Sequence, residues 1–428
     1  MAPPSTAVAT RPPAAAVQEA PAPAAPVPIH RRRYVPAFDG LRAVLVAGVL
    51  VYHLSGAMLP SATGEVAVIA FFSLSGFLIT FLLADEFRAN GSVQLRAFLA
   101  RRARRLLPAL GFMLGLWTLV ALLFGHDAWI TSVPAGGAGG PISPLTVAET
   151  AGAATGYVTN WINAFPASHL WAGYSRLGHL WSLAVEEQFY LVWAPVLLLL
   201  MRRRRTGLWI GLLALALMLE PALLYHQGTN RVYFGTDTRM SALLLGAALG
   251  WCWRAGHFRR LQGSAVTSVL GACSVVGLLV AGVGFRHQDV AWQWVGGIEL
   301  ASVCGAGLAL YLAVQSDDSP VSKWLSRPVL RWAGQRSYAV YLWSYMFNTW
   351  FRSLGPACTL LTVSCTVAAA EASYRLVEQP ALAWTGRGGQ VVARRRRLGA
   401  VVEPPAVLEP VPATGGALVP SVPLEVAG

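Results

Sequence analysis

The residues best placed to do chemistry are ionisable groups set inside apolar runs. The first run opens on Phe38-Asp39-Gly40-Leu41-Arg42 and closes on Tyr52-His53. Arg42 and His53 are eleven residues apart. In a helix that is three turns, so both lie on one face about 16 Å apart. Asp39 falls close to the same face. A histidine deep in an apolar segment can exchange a proton near neutral pH and act as general base toward a hydroxyl. The plainer alternatives are a snorkelling boundary arginine and a histidine used in helix packing.

Two further groups follow. Arg101-Arg102-Ala103-Arg104-Arg105 precedes Leu106-Leu107-Pro108. Arg102 with Arg105, or Arg101 with Arg104, makes a double cation on one helix face, suited to clamping phosphate. The competing reading is a cluster that only sets membrane orientation. His179, Ser182, Glu186 and Tyr190 recur at i, i+3, i+7 and i+11, a polar stripe for a bundle interior or wet cavity. The competing reading there is a polar packing seam. The adjacent Glu186 and Glu187 cannot share a face, so one of the two is expected to have a structural partner. Asp237 and Arg239 suggest a local ion pair at the start of another run. Glu220, Glu299 and Glu371 lie in or near apolar runs without an evident partner in sequence. His126, His169, His226 and His287 fall in expected loops. No phosphate loop, HExxH, GxSxG or metal-spaced cluster is present, so no metal is expected.

The elements that carry these groups are set by composition. Of 428 residues, 55% are hydrophobic and 12% charged, and the mean hydropathy is +0.51. Soluble domains are about a quarter charged. The chain therefore reads as an all-α polytopic membrane protein. About ten apolar runs are long enough to cross a bilayer: 41–59, 66–83, 106–124, 180–200, 207–225, 236–253, 264–284, 292–314, 337–351 and 354–377. The net charge is +13. The basic residues cluster between runs, at Arg31–Arg33, Arg101–Arg105, Arg202–Arg205, Arg254–Arg260, Lys323–Arg336 and Arg394–Arg397. All clusters fall on one side, which predicts both termini in the cytoplasm and no nucleic-acid partner. Residues 125–178 then form a long external segment, partly re-entrant or lying on the surface. Residues 1–33 and 386–428 read as disordered cytoplasmic tails around a membrane domain at 34–385. The five cysteines, all in apolar stretches, read as small buried hydrophobes without disulfides.

Taken in order, these blocks resemble the integral-membrane acyltransferase 3 family. The matching motifs are FDGLRAVLVAGVLVYH at 38–53, FFSLSGFLIT at 71–80, RRARRLLPAL at 101–110, HLWSLAVEEQFYLVW at 179–193 and TDTRMSALLLGAALG at 236–250, with SYAVYLW and SYRLVEQP near the end. The resemblance implies about ten spans in the plasma membrane and no permanently bound cofactor. It implies acyl-CoA, acetyl-CoA in the first instance, as co-substrate. A hydroxyl of a sugar, glycolipid or natural product would be the acceptor. By motif it makes His53 the catalytic histidine with Arg42 and Glu186 beside it. Arg102 and Arg105, flanked by Arg101 and Arg104, become the donor-binding cations. Asp39, His179, Ser182, Tyr190, Asp237 and Arg239 become substrate-facing. Two positions depart from the family pattern: Ser344 stands where a histidine is common, and Gln379 where an arginine is common. No hydrolase-like domain is expected after the tenth span, which favours a single module acting on a small glycoside or lipid. Glu186 is the acid expected to face His53. The rival class is a secondary transporter, which also places His, Glu and Arg within spans.

Overall fold

The computed structural model describes residues 34–55, 62–124, 143–165, 175–203, 205–284, 292–315, 319–355 and 357–383. The expected tails, Arg204 in its cluster, His126, His169 and His287 lie outside these residues, as do 125–142 and 166–174 of the expected external segment. The described residues through Ala381 form one compact unit. All their regular structure is helical.

Helix α1 spans Pro36–Ser55, α2 Ala62–Asn90 and α3 Leu95–Phe124. Two short helices follow, α4 (Pro144–Thr155) and α5 (Thr159–Ala164). A 3-10 turn, Ser175–Leu180, leads into α6 (Trp181–Met201). Next come α7 (Thr206–Leu217), α8 (Glu220–Leu224), α9 (Thr229–Phe234), α10 (Thr236–Ala255) and α11 (Ala265–Gly284). A π turn, Gln293–Gly297, opens α12 (Ile298–Val314). The chain continues through α13 (Pro320–Leu325), α14 (Pro328–Gln335), α15 (Ser337–Phe351), α16 (Ala357–Ser373), a π turn at Tyr374–Glu378, and α17 (Gln379–Ala383).

Seven stretches among the described residues are long and apolar enough to cross a membrane: 36–54, 64–90, 95–124, 177–201, 206–227, 265–284 and 293–314. The remaining three expected runs are also helical, at α10, α15 and α16. Helix α10 carries Asp237, Arg239 and Arg254, and α15 and α16 have 15 and 17 residues. Charge and length keep these three below what a bilayer of about 30 Å asks of a lone helix. Helices α4 and α5, with 12 and 6 residues, are too short to span.

Small residues let the central helices touch. Helix α10 carries Gly246-Ala-Ala-Leu-Gly250, a pattern that permits close backbone approach between membrane helices. It lies against Gly76 and Ser73 of α2. A Cβ on Gly246 would stand 1.9 Å from the Ser73 carbonyl oxygen. The pairing of α2 with α10 is the most extensive in the unit. Leu119, Leu122, Leu199, Leu215 and Leu279 point outward from the bundle, as lipid contact requires. Of the cysteines only Cys304 is fully buried, and Cys273 is exposed. Lipid-facing positions give cysteine the same apolar setting as the core.

Candidate active site

A cavity of about 350 Å³ opens between α1, α2, α3, α6 and α15. Tyr34, Asp39, Arg42, Arg102 and Arg105 line it, together with Phe81 and Trp253 from α2 and α10. Tyr34, Asp39 and Arg42 lie before and within the first two turns of α1, Arg102 and Arg105 in the N-terminal half of α3, Phe81 in the C-terminal half of α2 and Trp253 in the last turn of α10, so they mark one end of the bundle. Ser75, Glu186, Tyr190, Ser182 and Tyr341 line the rest. Val46, Val49, Val68, Phe71 and Phe72 give it an apolar wall.

The arginine cluster divides by partner. Arg102 and Arg105 face the cavity. Arg101 instead pairs with Glu86 at 3.1 Å, and Arg104 bonds the Ala100 carbonyl of its own helix. Neither lines the cavity. At about 100° per residue Arg104 turns about 200° away from Arg102, whereas Arg101 is only about 40° from Arg105 and is drawn aside by Glu86. Arg102 is held from two sides: its guanidinium bonds Glu187 at 3.0 Å and lies 3.7 Å from the Tyr190 ring centroid. Glu187 thus has its own partner. Arg105 lies within electrostatic reach of Arg42 and Arg102, with Glu378 as the opposing charge. Among the described residues, neither Arg42 nor Arg105 has a carboxylate within ion-pairing distance.

The polar stripe of α6 enters the cavity through Ser182, Glu186 and Tyr190. Glu186 accepts a 2.7 Å hydrogen bond from Ser75. It does not face His53, because the two sit at different levels of the bundle. The Ser182 and Tyr341 hydroxyls meet at 2.7 Å and form the inner wall. Tyr341 also donates to the backbone carbonyl of His179. His179 precedes α6, in the 3-10 turn, so its side chain lies just behind that wall rather than in it. Its ring stacks on Tyr345 at 4.7 Å between centroids, and the His53 ring meets the same tyrosine edge-on at 5.0 Å. His53 therefore lies in the last turn of α1, beyond the cavity's inner wall. The backbone carbonyl of His53 accepts from Asn348 at 2.9 Å. The Nδ1 atoms of His53 and His179 are both buried without a partner.

Arg42 and His53 both lie on α1, eleven residues apart, and the helix rise puts about 16 Å between them. One small reacting group cannot touch both. Sequence periodicity correctly gave one face, and the structure adds that its two ends belong to different environments. Asp39 sits at the cavity mouth, bonded by Tyr34 at 2.6 Å and Gln335 at 3.3 Å.

The local ion pair expected between Asp237 and Arg239 does not form. Asp237 pairs with Arg231, not Arg239. Arg239 is 1% exposed and pairs with Glu65 at 3.0 Å, while Gln293 bonds the other Glu65 oxygen at 2.9 Å. Residues 237 and 239 point to different sides of α10, so they serve different partners. Neither lines the cavity. Glu371 pairs with Arg336 and Arg375, whereas both carboxylate oxygens of Glu299 are buried without a partner. Ser344 is buried and bonds the Tyr341 carbonyl of its own helix at 3.3 Å. Sequence reading missed Glu65, Ser75 and the tyrosines of α15. Tyr338, Tyr341 and Tyr345 repeat at i, i+3 and i+7, the same signal that exposed the α6 stripe. Among the described residues no group of three or more His, Cys, Asp or Glu could hold a metal ion.

The family model described as an acyltransferase domain matches residues 35–370. The chain is 32% identical over 373 residues to the Staphylococcus aureus (strain COL) protein named "Putative O-acetyltransferase SACOL0978", covering 82% of this chain and 58% of that one. It is 32% identical over 375 residues to "Peptidoglycan O-acetyltransferase OatA" of Listeria monocytogenes, covering 82% and 56% of the two chains. It is 34% identical over 376 residues to "Putative peptidoglycan O-acetyltransferase YrhL" of Bacillus subtilis, covering 82% and 55%. The chain thus spans a little over half the length of the curated relatives it matches. No solved structure matches it. A helical membrane bundle, a family match across nearly all of its described helices and relatives above 30% identity together place the chain in the acyltransferase 3 family.

Proposed function

We propose that the chain is a membrane O-acyltransferase that moves an acyl group, acetyl first among candidates, from acyl-CoA to a hydroxyl. The observation that carries this reading is the cavity's polarity. Among the described residues Arg42 and Arg105, at one end, have no carboxylate within ion-pairing distance, and the Ser182–Tyr341 hydroxyl pair stands at the other, with His53 and His179 behind it. Unpaired guanidinium groups suit the phosphates of a nucleotide thioester.

Length supports the same assignment. An extended pantetheine arm has about the backbone length of a four-residue peptide, roughly 14 Å. That is close to the ~16 Å between Arg42 and His53. With phosphates at Arg42, Arg102 and Arg105, the thioester reaches the Ser182–Tyr341 wall. Arg42 then positions the donor and is too distant to stabilise charge at the reacting carbonyl. That task falls to Ser182, whose hydroxyl can turn from Tyr341 toward the developing oxyanion, since the Tyr341 proton is given to the His179 carbonyl.

The step requires the Ser182–Tyr341 wall to part, so that His53 just beyond it takes the proton of the acceptor hydroxyl as its oxygen attacks the thioester carbonyl. The C–S bond breaks, and the leaving thiolate recovers the proton from the imidazolium. Apolar walls at Val46, Val49 and Phe72 keep competing water low. The relatives' names make a cell-wall glycan one acceptor class to set beside glycolipids and small glycosides.

The test is incubation of the purified, reconstituted protein with labelled acetyl-CoA and hydroxyl acceptors of these classes, followed by mass spectrometry. The reading expects free CoA and an acetylated acceptor in equal amounts. Uptake of a solute into the vesicles without acyl transfer would instead assign the chain to transport.

A further inference from the structure

The segment between α12 and α15 carries a short repeat that the cavity does not use. Val321-Ser322-Lys323-Trp324 lies on α13 and Val329-Leu330-Arg331-Trp332 on α14, each reading valine, any residue, base, tryptophan. Valine and tryptophan at i and i+3 share a helix face. All four apolar side chains are exposed: Val321 41%, Trp324 47%, Val329 73% and Trp332 39%. Lys323 and Arg327 are exposed beside them.

This segment is fixed, not free. The Leu325 carbonyl lies against Gly40 in the early turns of α1. A Cβ on Gly334 would stand 1.8 Å from the Asp39 carbonyl oxygen, so α14 and α1 touch backbone to backbone. Gln335 bonds Asp39, and Arg331 bonds the Tyr34 hydroxyl at 3.3 Å. The segment follows the apolar helix α12 and meets the first turn of α1, the level at which the membrane-crossing stretch 36–54 begins. At that level the surroundings change from hydrocarbon to headgroup.

We infer that α13 and α14 form an interfacial foot that lies in the headgroup region and binds anionic phospholipid. Tryptophan and valine would enter the acyl boundary, as tryptophan does at membrane interfaces. Lys323 and Arg327 would meet the phosphate groups, with their stems lying along the apolar surface. Charge complementarity selects an acidic lipid surface over a protein partner. A soluble partner for four exposed apolar groups would have to displace the bilayer that the adjacent spans require.

The test uses the full chain with its five cysteines replaced and Val329→Cys carrying a nitroxide label. The protein is reconstituted into vesicles of phosphatidylcholine alone or mixed with phosphatidylglycerol. Collision with oxygen reports the acyl region, and collision with a water-soluble nickel complex reports the aqueous phase. The foot predicts that oxygen collisions dominate in the anionic vesicles. It also predicts that this excess falls when Lys323→Gln and Arg327→Gln are introduced. If Val329→Cys does not yield folded protein, Val321→Cys reports the same face. Dominant nickel collisions at either label would overturn the proposal, as would a label depth that ignores both lipid charge and the two substitutions. The readout needs no acyl transfer, so it stands or falls apart from the enzymatic reading.

Discussion

At the scale of residues, function separates from orientation within one arginine run. Arg102→Ala with Arg105→Ala should raise the KM for acyl-CoA by at least about tenfold, since a charge-assisted hydrogen bond contributes roughly 1.5–3 kcal/mol. Arg101→Ala with Arg104→Ala should leave KM within about twofold, because neither lines the cavity. Equal effects from the two pairs would return the whole cluster to topology. Away from the cavity, Glu65 and Arg239 form a buried pair. Removing one charge strands the other, so Glu65→Gln or Arg239→Gln should cost about 3–5 kcal/mol, read as a lowered Tm of the reconstituted protein. The α6 stripe and the Arg42–His53 face were legible in sequence because helical periodicity is a local property. The partner of Arg239 was not, since Glu65 is 174 residues away and only packing brings them together.

At the scale of elements, the site depends on helices that approach to backbone contact. Gly246→Leu would drive a side chain into the Ser73 carbonyl of α2, which cannot move aside. It should abolish a monodisperse, folded preparation, as judged by size-exclusion chromatography. Gly111→Ala is the control, because nothing lies within 4 Å of its added Cβ. It should behave as wild type. The helices themselves could be read from apolar run length, and among the described residues each of the ten runs is carried by helix. What could not be read is where α6 begins. The i, i+3, i+7 pattern runs smoothly through His179, yet the helix starts at Trp181 after a 3-10 turn. That turn moves His179 out of the cavity and onto Tyr345. The tyrosines of α15 were overlooked for a related reason: aromatic side chains count as apolar in a span until a hydroxyl partner such as Ser182 is visible.

At the scale of the whole molecule, polarity runs along the bundle, with cations at one end and the histidine pair toward the other. The basic clusters predict an orientation that single-cysteine labelling can read in a cysteine-free background. Positions 203 and 322 should label from the cytoplasmic side and position 229 from outside. Labelling of 203 from outside would reverse the order of spans after α3. The account as a whole rests on His53 as the proton acceptor at the end of a path that starts at the arginines. The most direct test compares wild type with His53→Gln for acetyl-CoA binding and for acetyl transfer in the same reconstituted samples. Glutamine keeps a polar, hydrogen-bonding side chain but cannot take the proton. The account predicts that acetyl-CoA binding is retained, since the donor's phosphates are held about 16 Å away. It predicts that transfer falls by about 10²-fold or more. Wild-type turnover in His53→Gln at normal expression would contradict it.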